Sequence, residues 1–144
     1  QKSKEPKLEM SPLIAVHMSA ALAATAIGPI ALWAREGSDQ RIRLHRAAGY
    51  AWVTLMLATS VTAFFIRDFK LPNLNGFTPI HLLIPVTLGG LFFGLRAMLA
   101  GNFKAHRWGM WTVYISACLI AGAFTLLPGR YLGRLVWGTW LGWL

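Results

Sequence analysis

Long stretches without a charged residue alternate with short charged segments along the chain. The four stretches cover residues 10–34, 47–66, 71–95 and 108–129, and they hold 25, 20, 25 and 22 residues. A helix of about 20 apolar residues spans the roughly 30 Å hydrocarbon core of a bilayer. The pattern therefore predicts four transmembrane helices. We place them at about residues 10–34, 45–66, 77–99 and 105–127.

The segments between the stretches are short and contain Gly, Pro, Asn and Asp, which interrupt helices. Short connections make sequential helices antiparallel neighbours. We therefore expect an all-α integral membrane protein, in which residues 1–144 form a single membrane domain folded as a four-transmembrane-helix up-down bundle. His45-Arg46 and His106-Arg107 are each followed by a Gly, a Tyr and a Trp. This weak repeat predicts that helices 1–2 and 3–4 are two copies of one hairpin.

The last segment, residues 131–144, differs from the four stretches. Trp137, Trp140 and Trp143 recur every three residues, and three glycines make the segment a poor autonomous helix. We expect an interfacial C-terminal tail that lies at headgroup level or docks on a partner.

Composition excludes an ordinary soluble domain. Mean hydropathy is +0.50 and 13% of the residues are charged, whereas soluble domains are about a quarter charged. The formal net charge is +9, which in a soluble protein would indicate nucleic-acid binding. Here the basic residues lie between apolar stretches, so we expect anionic lipid headgroups of the bilayer as partners and no nucleic acid. The first and third loops are expected to be cytoplasmic, because their basic residues lie close to helix ends.

Each predicted helix contains one of the four histidines, and all four are candidate metal ligands: His17, His45, His81 and His106. Because the helices alternate in direction, His17 and His81 fall on one side of the membrane. His45 and His106 fall on the other. Each pair belongs to diagonal helices, roughly 12–14 Å apart, a span in which two imidazoles can hold one iron. The pattern predicts bis-histidine ligation of haem b, with one or two haems per chain.

The side chains near the helix ends allow two interpretations each. The guanidinium groups of Arg35 and Arg96, like those of Arg46 and Arg107, match the carboxylates of haem propionates, or they reach lipid phosphates instead. A histidine at the edge of an apolar stretch can likewise be an amphipathic anchor at headgroup level. No nucleophile constellation, phosphate-binding glycine motif or zinc spacing is present in the sequence. We therefore expect no catalytic residue of the hydrolase kind.

Four short segments resemble a known family. They are HRAAGY at 45–50, GFTPIHLL at 76–83, AHR at 105–107 and LLPGR at 126–130. Together, over residues 12–138, they resemble a bacterial family of small predicted membrane proteins of unknown function, DUF2306. The layout is in turn similar to that of the ascorbate-reducible transmembrane dihaem cytochromes b, whose four-helix core holds two bis-histidine haems. The resemblance implies a location in the bacterial inner membrane.

Two functions follow from these patterns. The first is a membrane-embedded, cytochrome-b-like electron carrier that takes electrons from a quinol or a redox protein. Gly89, Gly90 and Gly94 would then let a flat macrocycle approach the backbone of helix 3. The second is a non-catalytic accessory or structural subunit of a larger membrane complex, with those glycines and the Trp-rich tail as docking surfaces.

Overall fold

The computed structural model describes residues 11–34, 39–66, 79–127 and 130–142, and these residues form helices and turns without any strand. The long helices are α1 (Pro12–Trp33), α2 (Asp39–Phe65), α3 (Leu83–Leu99) and α4 (Phe103–Thr125). A 3-10 turn, Pro79–Leu82, leads into α3, and within α4 residues Tyr114–Ile120 form wider π-helical turns. A final helix, α5, begins with Tyr131–Gly133 and continues as π-helical turns over Arg134–Trp140.

Local signals in the sequence account for several helix ends. At the start of α1 the Ser11 hydroxyl accepts a hydrogen bond from the Ile14 N–H at 3.3 Å, and Pro12 follows, where its missing N–H costs nothing. At the start of α4 the Asn102 side chain accepts from the Ala105 N–H at 3.1 Å. Gly101 has a φ of 75°, a left-handed conformation that favours glycine. These residues make the tight turn between α3 and α4.

Within the described residues, three helical segments are long and apolar enough to cross a membrane. They are Pro12–Trp33, Arg41–Phe65 and Phe103–Thr125. The helix α3 is a shorter apolar helix of 17 residues. The all-helical prediction is thus confirmed for the described residues.

Two helices begin at residues that differ from the helix starts predicted by the sequence pattern. α2 starts at Asp39, six residues before the expected start at 45, because charge marks a membrane boundary but does not stop a helix; Arg and Gln are good helix formers. α3 starts at Leu83 rather than near 77, with Pro85 in its first turn, where a missing N–H is tolerated.

The helices pack as two antiparallel hairpins, α1 with α2 and α3 with α4. Contacts of α1 with α4 and of α2 with α3 join the hairpins. The Tyr114 hydroxyl of α4, for example, donates to the Thr25 carbonyl of α1 at 3.1 Å. The buried centre contains Trp52, Met56, Leu91 and Val113. This central packing separates the two ends of the bundle, so each end has its own histidines.

Small residues bring α3 and α4 close together. A Cβ on Gly109 would lie 3.2 Å from the Gly94 Cα, and a Cβ on Gly90 would collide with Val113. Close backbone approach through glycine is a common way to join helices in lipid. Gly90 and Gly94 therefore face α4 and are used within the chain, not for a macrocycle or a docking partner, whereas Gly89 faces open space.

Candidate functional site

A cavity of about 390 Å³ lies between the four helices at the end where α1 begins. Its size falls within the range of ordinary small-molecule pockets. Most of its lining is apolar, with Ile14, Met18, Leu22, Met56, Leu83 and Ile84 among the walls. Its polar side chains include His17, Ser60, His81, Thr87 and Arg130. An apolar space with a few convergent polar groups is the usual form of a ligand site.

His17 projects from the second turn of α1 and lines this cavity. Its Nδ1 lies 3.1 Å from the Thr59 carbonyl and 3.0 Å from the Thr62 hydroxyl, both on α2. Because a carbonyl can only accept, Nδ1 carries the proton and donates, and the lone pair of the neutral ring is on Nε2. A ring held through one nitrogen on a backbone carbonyl is the usual arrangement of a metal-binding histidine.

His81 lies in the 3-10 turn that precedes α3 and lines the same cavity. Its Nε2 donates to the Ile66 carbonyl at the end of α2, at 2.8 Å. The lone pair of a neutral His81 ring is therefore on Nδ1. The structure thus brings His17 and His81, from diagonal helices, to one cavity.

Two hydroxyl groups mark the inner part of the cavity. Ser60 on α2 and Thr87 on α3 are 5% and 3% exposed, and they are the buried polar residues that the described core contains. Both residues line the cavity. Buried polar groups normally find a partner. The hydroxyls of Ser60 and Thr87 can donate to or accept from a polar group of a molecule bound there.

Arg130 lies at the outer end of the cavity, after the last turn of α4. It is half-buried, and its backbone N–H donates to the Leu127 carbonyl at 2.9 Å. The following helix α5 adds Leu132 to the lining. The Trp137 indole N–H donates to the Leu126 carbonyl at 2.7 Å and ties α5 to the end of α4. The segment expected to be an interfacial tail is therefore helical over 131–140 and contributes to the cavity.

His45 and His106 occupy the opposite end of the bundle and are not among the lining residues of the cavity. The Nδ1 of His45 donates to the Ala31 carbonyl of α1 at 2.6 Å, and that of His106 donates to the Gly94 carbonyl of α3 at 2.9 Å. Each ring joins the two helices of its own hairpin. Ligation of a second haem by this pair stays a prediction.

The arginines proposed from sequence lie away from the cavity or outside the described residues. Arg35 lies outside the described residues. Arg96 is exposed in the last turn of α3, at the end that contains His106, and Arg46 and Arg107 are exposed near it. Sequence reasoning did not select Arg130, Ser60 or Thr87. The sequence could have indicated Arg130, because this residue follows helix 4 on the side of the membrane predicted for His17 and His81.

The family model for a predicted membrane protein, DUF2306, matches residues 14–142 of the chain. The chain belongs to this family. Three residues that line the cavity lie in segments that carried the resemblance: His81, Leu83 and Arg130. No curated protein and no solved structure matches the chain significantly.

Membership in DUF2306 explains the surface of the helices. Large apolar side chains such as Leu22, Val61, Phe92, Phe93 and Leu99 are between 58% and 83% exposed. In water such a surface would associate, but in a bilayer it contacts lipid tails. The described residues contain no group of three or more His, Cys, Asp or Glu side chains that could hold a metal ion by themselves.

Proposed function

We propose that the chain is a transmembrane electron carrier that holds one haem b between His17 and His81. The observation that carries this proposal is that two imidazoles, from α1 and from the turn before α3, line one cavity between four helices. Haem iron is commonly held by histidine, and bundle cores are frequent sites for such cofactors. The haem iron supplies one-electron chemistry when bound.

The protein groups fit this cofactor in two respects. The carbonyls of Thr59 and Ile66 fix the tautomer and the plane of the two rings, which is how outer partners orient metal ligands. The apolar walls exclude water from the ring system, and burial is one of the properties by which a protein sets a haem potential. The chain therefore binds, orients and desolvates the cofactor.

The proposal includes a four-transmembrane up-down bundle. With 17 residues, α3 alone is about 26 Å long, but the preceding 3-10 turn adds about 8 Å. Together they exceed the roughly 30 Å of a hydrocarbon core. The antiparallel contacts of α3 with α4 support a fourth crossing. Electrons would be exchanged with a quinol or a redox protein at the membrane face next to His17.

The competing function is a non-catalytic accessory subunit. The hydrogen bonds of all four histidines to carbonyls of other helices favour it, because such bonds can serve only to hold helices together in lipid. In that function the two rings would be structural clamps, and removal of either would cost stability without any spectral change.

Absorption spectra of histidine variants test the proposal. We expect the protein, expressed with ample haem supply, to show a reduced-minus-oxidised spectrum of a b-type haem. His17→Ala and His81→Ala should each abolish it, and the double variant should lose no more than either one, because the two ligands act as a unit. Haem per chain is the quantity to measure.

Thr62→Val is the matched control. It removes the hydroxyl beside the His17 ring but leaves the ring and the Thr59 carbonyl, so haem content should stay near that of the unmodified chain. Unmodified protein without haem, or His17→Ala protein with full haem, would overturn the proposal in favour of the accessory subunit. The same spectra of His45→Ala and His106→Ala test the predicted second haem.

A further inference from the structure

The cavity is electrostatically asymmetric along its length. Among the described residues that line it, Arg130 is the one with a permanent charge, and none of them is Asp or Glu. The hydroxyls of Ser60 and Thr87 give the inner part neutral polarity. A ligand with an anionic end would therefore be favoured in one orientation, with the anion toward Arg130.

The position of Arg130 is fixed by the backbone on both sides. Its N–H donates to the Leu127 carbonyl, and its own carbonyl accepts from the Arg134 N–H, both at 2.9 Å. One turn further, Gly133 packs against the Leu127 backbone so closely that a Cβ there would collide with it. These contacts place the Arg130 backbone beside the end of α4, and Arg130 lines the cavity there.

We infer that Arg130 binds a carboxylate of the molecule held in the cavity and thereby sets the direction in which that molecule enters. A half-buried guanidinium at an apolar space gains most from an anion with two oxygens, which its fork of N–H groups matches. The guanidinium has five N–H donors, so it can bind that carboxylate while it keeps another hydrogen-bond partner. This inference rests on the proposed function, since the propionates of haem b are carboxylates; a free fatty acid would offer the same chemistry.

A comparison of haem with haem dimethyl ester, in which both propionates are esterified, tests the inference. The unmodified protein should bind the ester about tenfold more weakly than the acid, the scale of a lost charge-assisted hydrogen bond. Arg130→Gln should bind the acid about tenfold more weakly and should no longer distinguish acid from ester. Arg130→Lys should retain part of the difference. The readout is the dissociation constant from absorption titration in detergent.

Arg134→Gln is the matched control, because Arg134 lies one helical turn further, is exposed and does not line the cavity. It should distinguish acid from ester as the unmodified protein does. Equal binding of acid and ester by the unmodified protein, or an undiminished preference in Arg130→Gln, would overturn the inference.

A separate titration keeps this inference distinct from the haem proposal. If neither form of haem gives a His17-dependent spectrum, the haem proposal fails, and calorimetric titration with oleate and methyl oleate then tests Arg130 alone. A preference for oleate that Arg130→Gln removes would support carboxylate binding from a lipid source. No preference for oleate would overturn the inference as well.

Discussion

At the level of single residues, the hydrogen bonds of the histidines join helices and are compatible with the proposed ligation. Each ring donates one N–H to a carbonyl of another helix, at 2.6 to 3.1 Å. In lipid no water competes for that carbonyl, so the bond both joins helices and selects the tautomer. In a neutral ring the other nitrogen then has the lone pair, and neutral imidazole is the form that binds a metal. Packing and ligation are therefore compatible in the same residue.

Neighbouring glycines on α3 provide a test of residue-scale packing. We expect Gly90→Ala to lower the free energy of unfolding by about 1–3 kcal/mol, because the new methyl group would meet the fully buried, β-branched Val113. The measurement is unfolding in a titration with a denaturing detergent, followed by circular dichroism.

Gly89→Ala is its control, since a Cβ at Gly89 has nothing within 4 Å. This variant should be unchanged or more stable by up to about 1 kcal/mol, the helix propensity that alanine adds. Equal destabilisation by the two variants would mean that α3 does not pack on α4 through Gly90.

At the scale of elements, the π-helical turns in α4 and the short helix α5 shape one end of the bundle. The wide turns over Tyr114–Ile120 include Cys118, whose Sγ lies 3.7 Å from the Met56 Sδ at the inner limit of the cavity. Such turns recur at functional sites, because they change which side chains face inward. Arg130, which directly precedes α5, and Leu132 of α5 line the cavity at that end.

The attachment of α5 can be tested at its indole. Trp137→Phe removes the hydrogen bond to the Leu126 carbonyl, a contribution of about 1 kcal/mol. We expect amide hydrogen exchange over residues 130–140 to become roughly five- to tenfold faster, while exchange in α1 and α2 stays unchanged.

Trp140→Phe serves as the comparison, because Trp140 is 69% exposed. It should leave exchange in α5 unaltered. If Trp137→Phe instead accelerates exchange throughout the bundle, α5 is part of the cooperative core and not a separately attached element.

At the scale of the whole molecule, the two ends of the bundle differ in chemistry. One end contains the cavity. Among the described residues, the other end has six exposed basic side chains: Arg41, Arg43, Arg46, Arg96, Lys104 and Arg107. Exposed tryptophans lie at the same end, and the Arg41 guanidinium stacks 4.7 Å from the centre of the Trp33 ring. Basic side chains and aromatic rings together suit the headgroup region of an anionic leaflet.

The topology is testable by cysteine labelling from each side of the membrane, in a Cys118→Ala background. Cysteines at Ser11 and Thr139, both exposed, should react from the same side, because α1 begins where α4 ends and α5 returns to that end. A cysteine at Lys104 should react only from the cytoplasmic side, where the positive-inside rule places the basic end.

Reaction of Ser11→Cys and Thr139→Cys from opposite sides would exclude an even number of crossings. In that case α3, the shortest of the apolar helices, would not span the bilayer. Accessibility of Lys104→Cys from the other face would reverse the orientation but leave the four-crossing bundle intact.

The amino-acid sequence by itself determined the membrane character and the helical class of this protein. Uncharged stretches of 20 to 25 residues have to satisfy their backbone hydrogen bonds internally in lipid, so their length alone predicts helices. The same reasoning, with short connections, paired His17 with His81. Local signals also fixed the turn at Gly101 and Asn102, because φ preference and capping depend on single residues.

Only the tertiary structure decided what surrounds those histidines. Which side of a helix is buried depends on the helices that pack against it. In a uniformly apolar helix the sequence has no periodic pattern that marks this side. Gly90 and Gly94 therefore appeared available for a cofactor but pack on α4. Ser60 and Thr87 line the cavity although no motif of the sequence includes them. Arg130 lies in the LLPGR segment, but only the packing of the helices shows that its side chain lines the cavity.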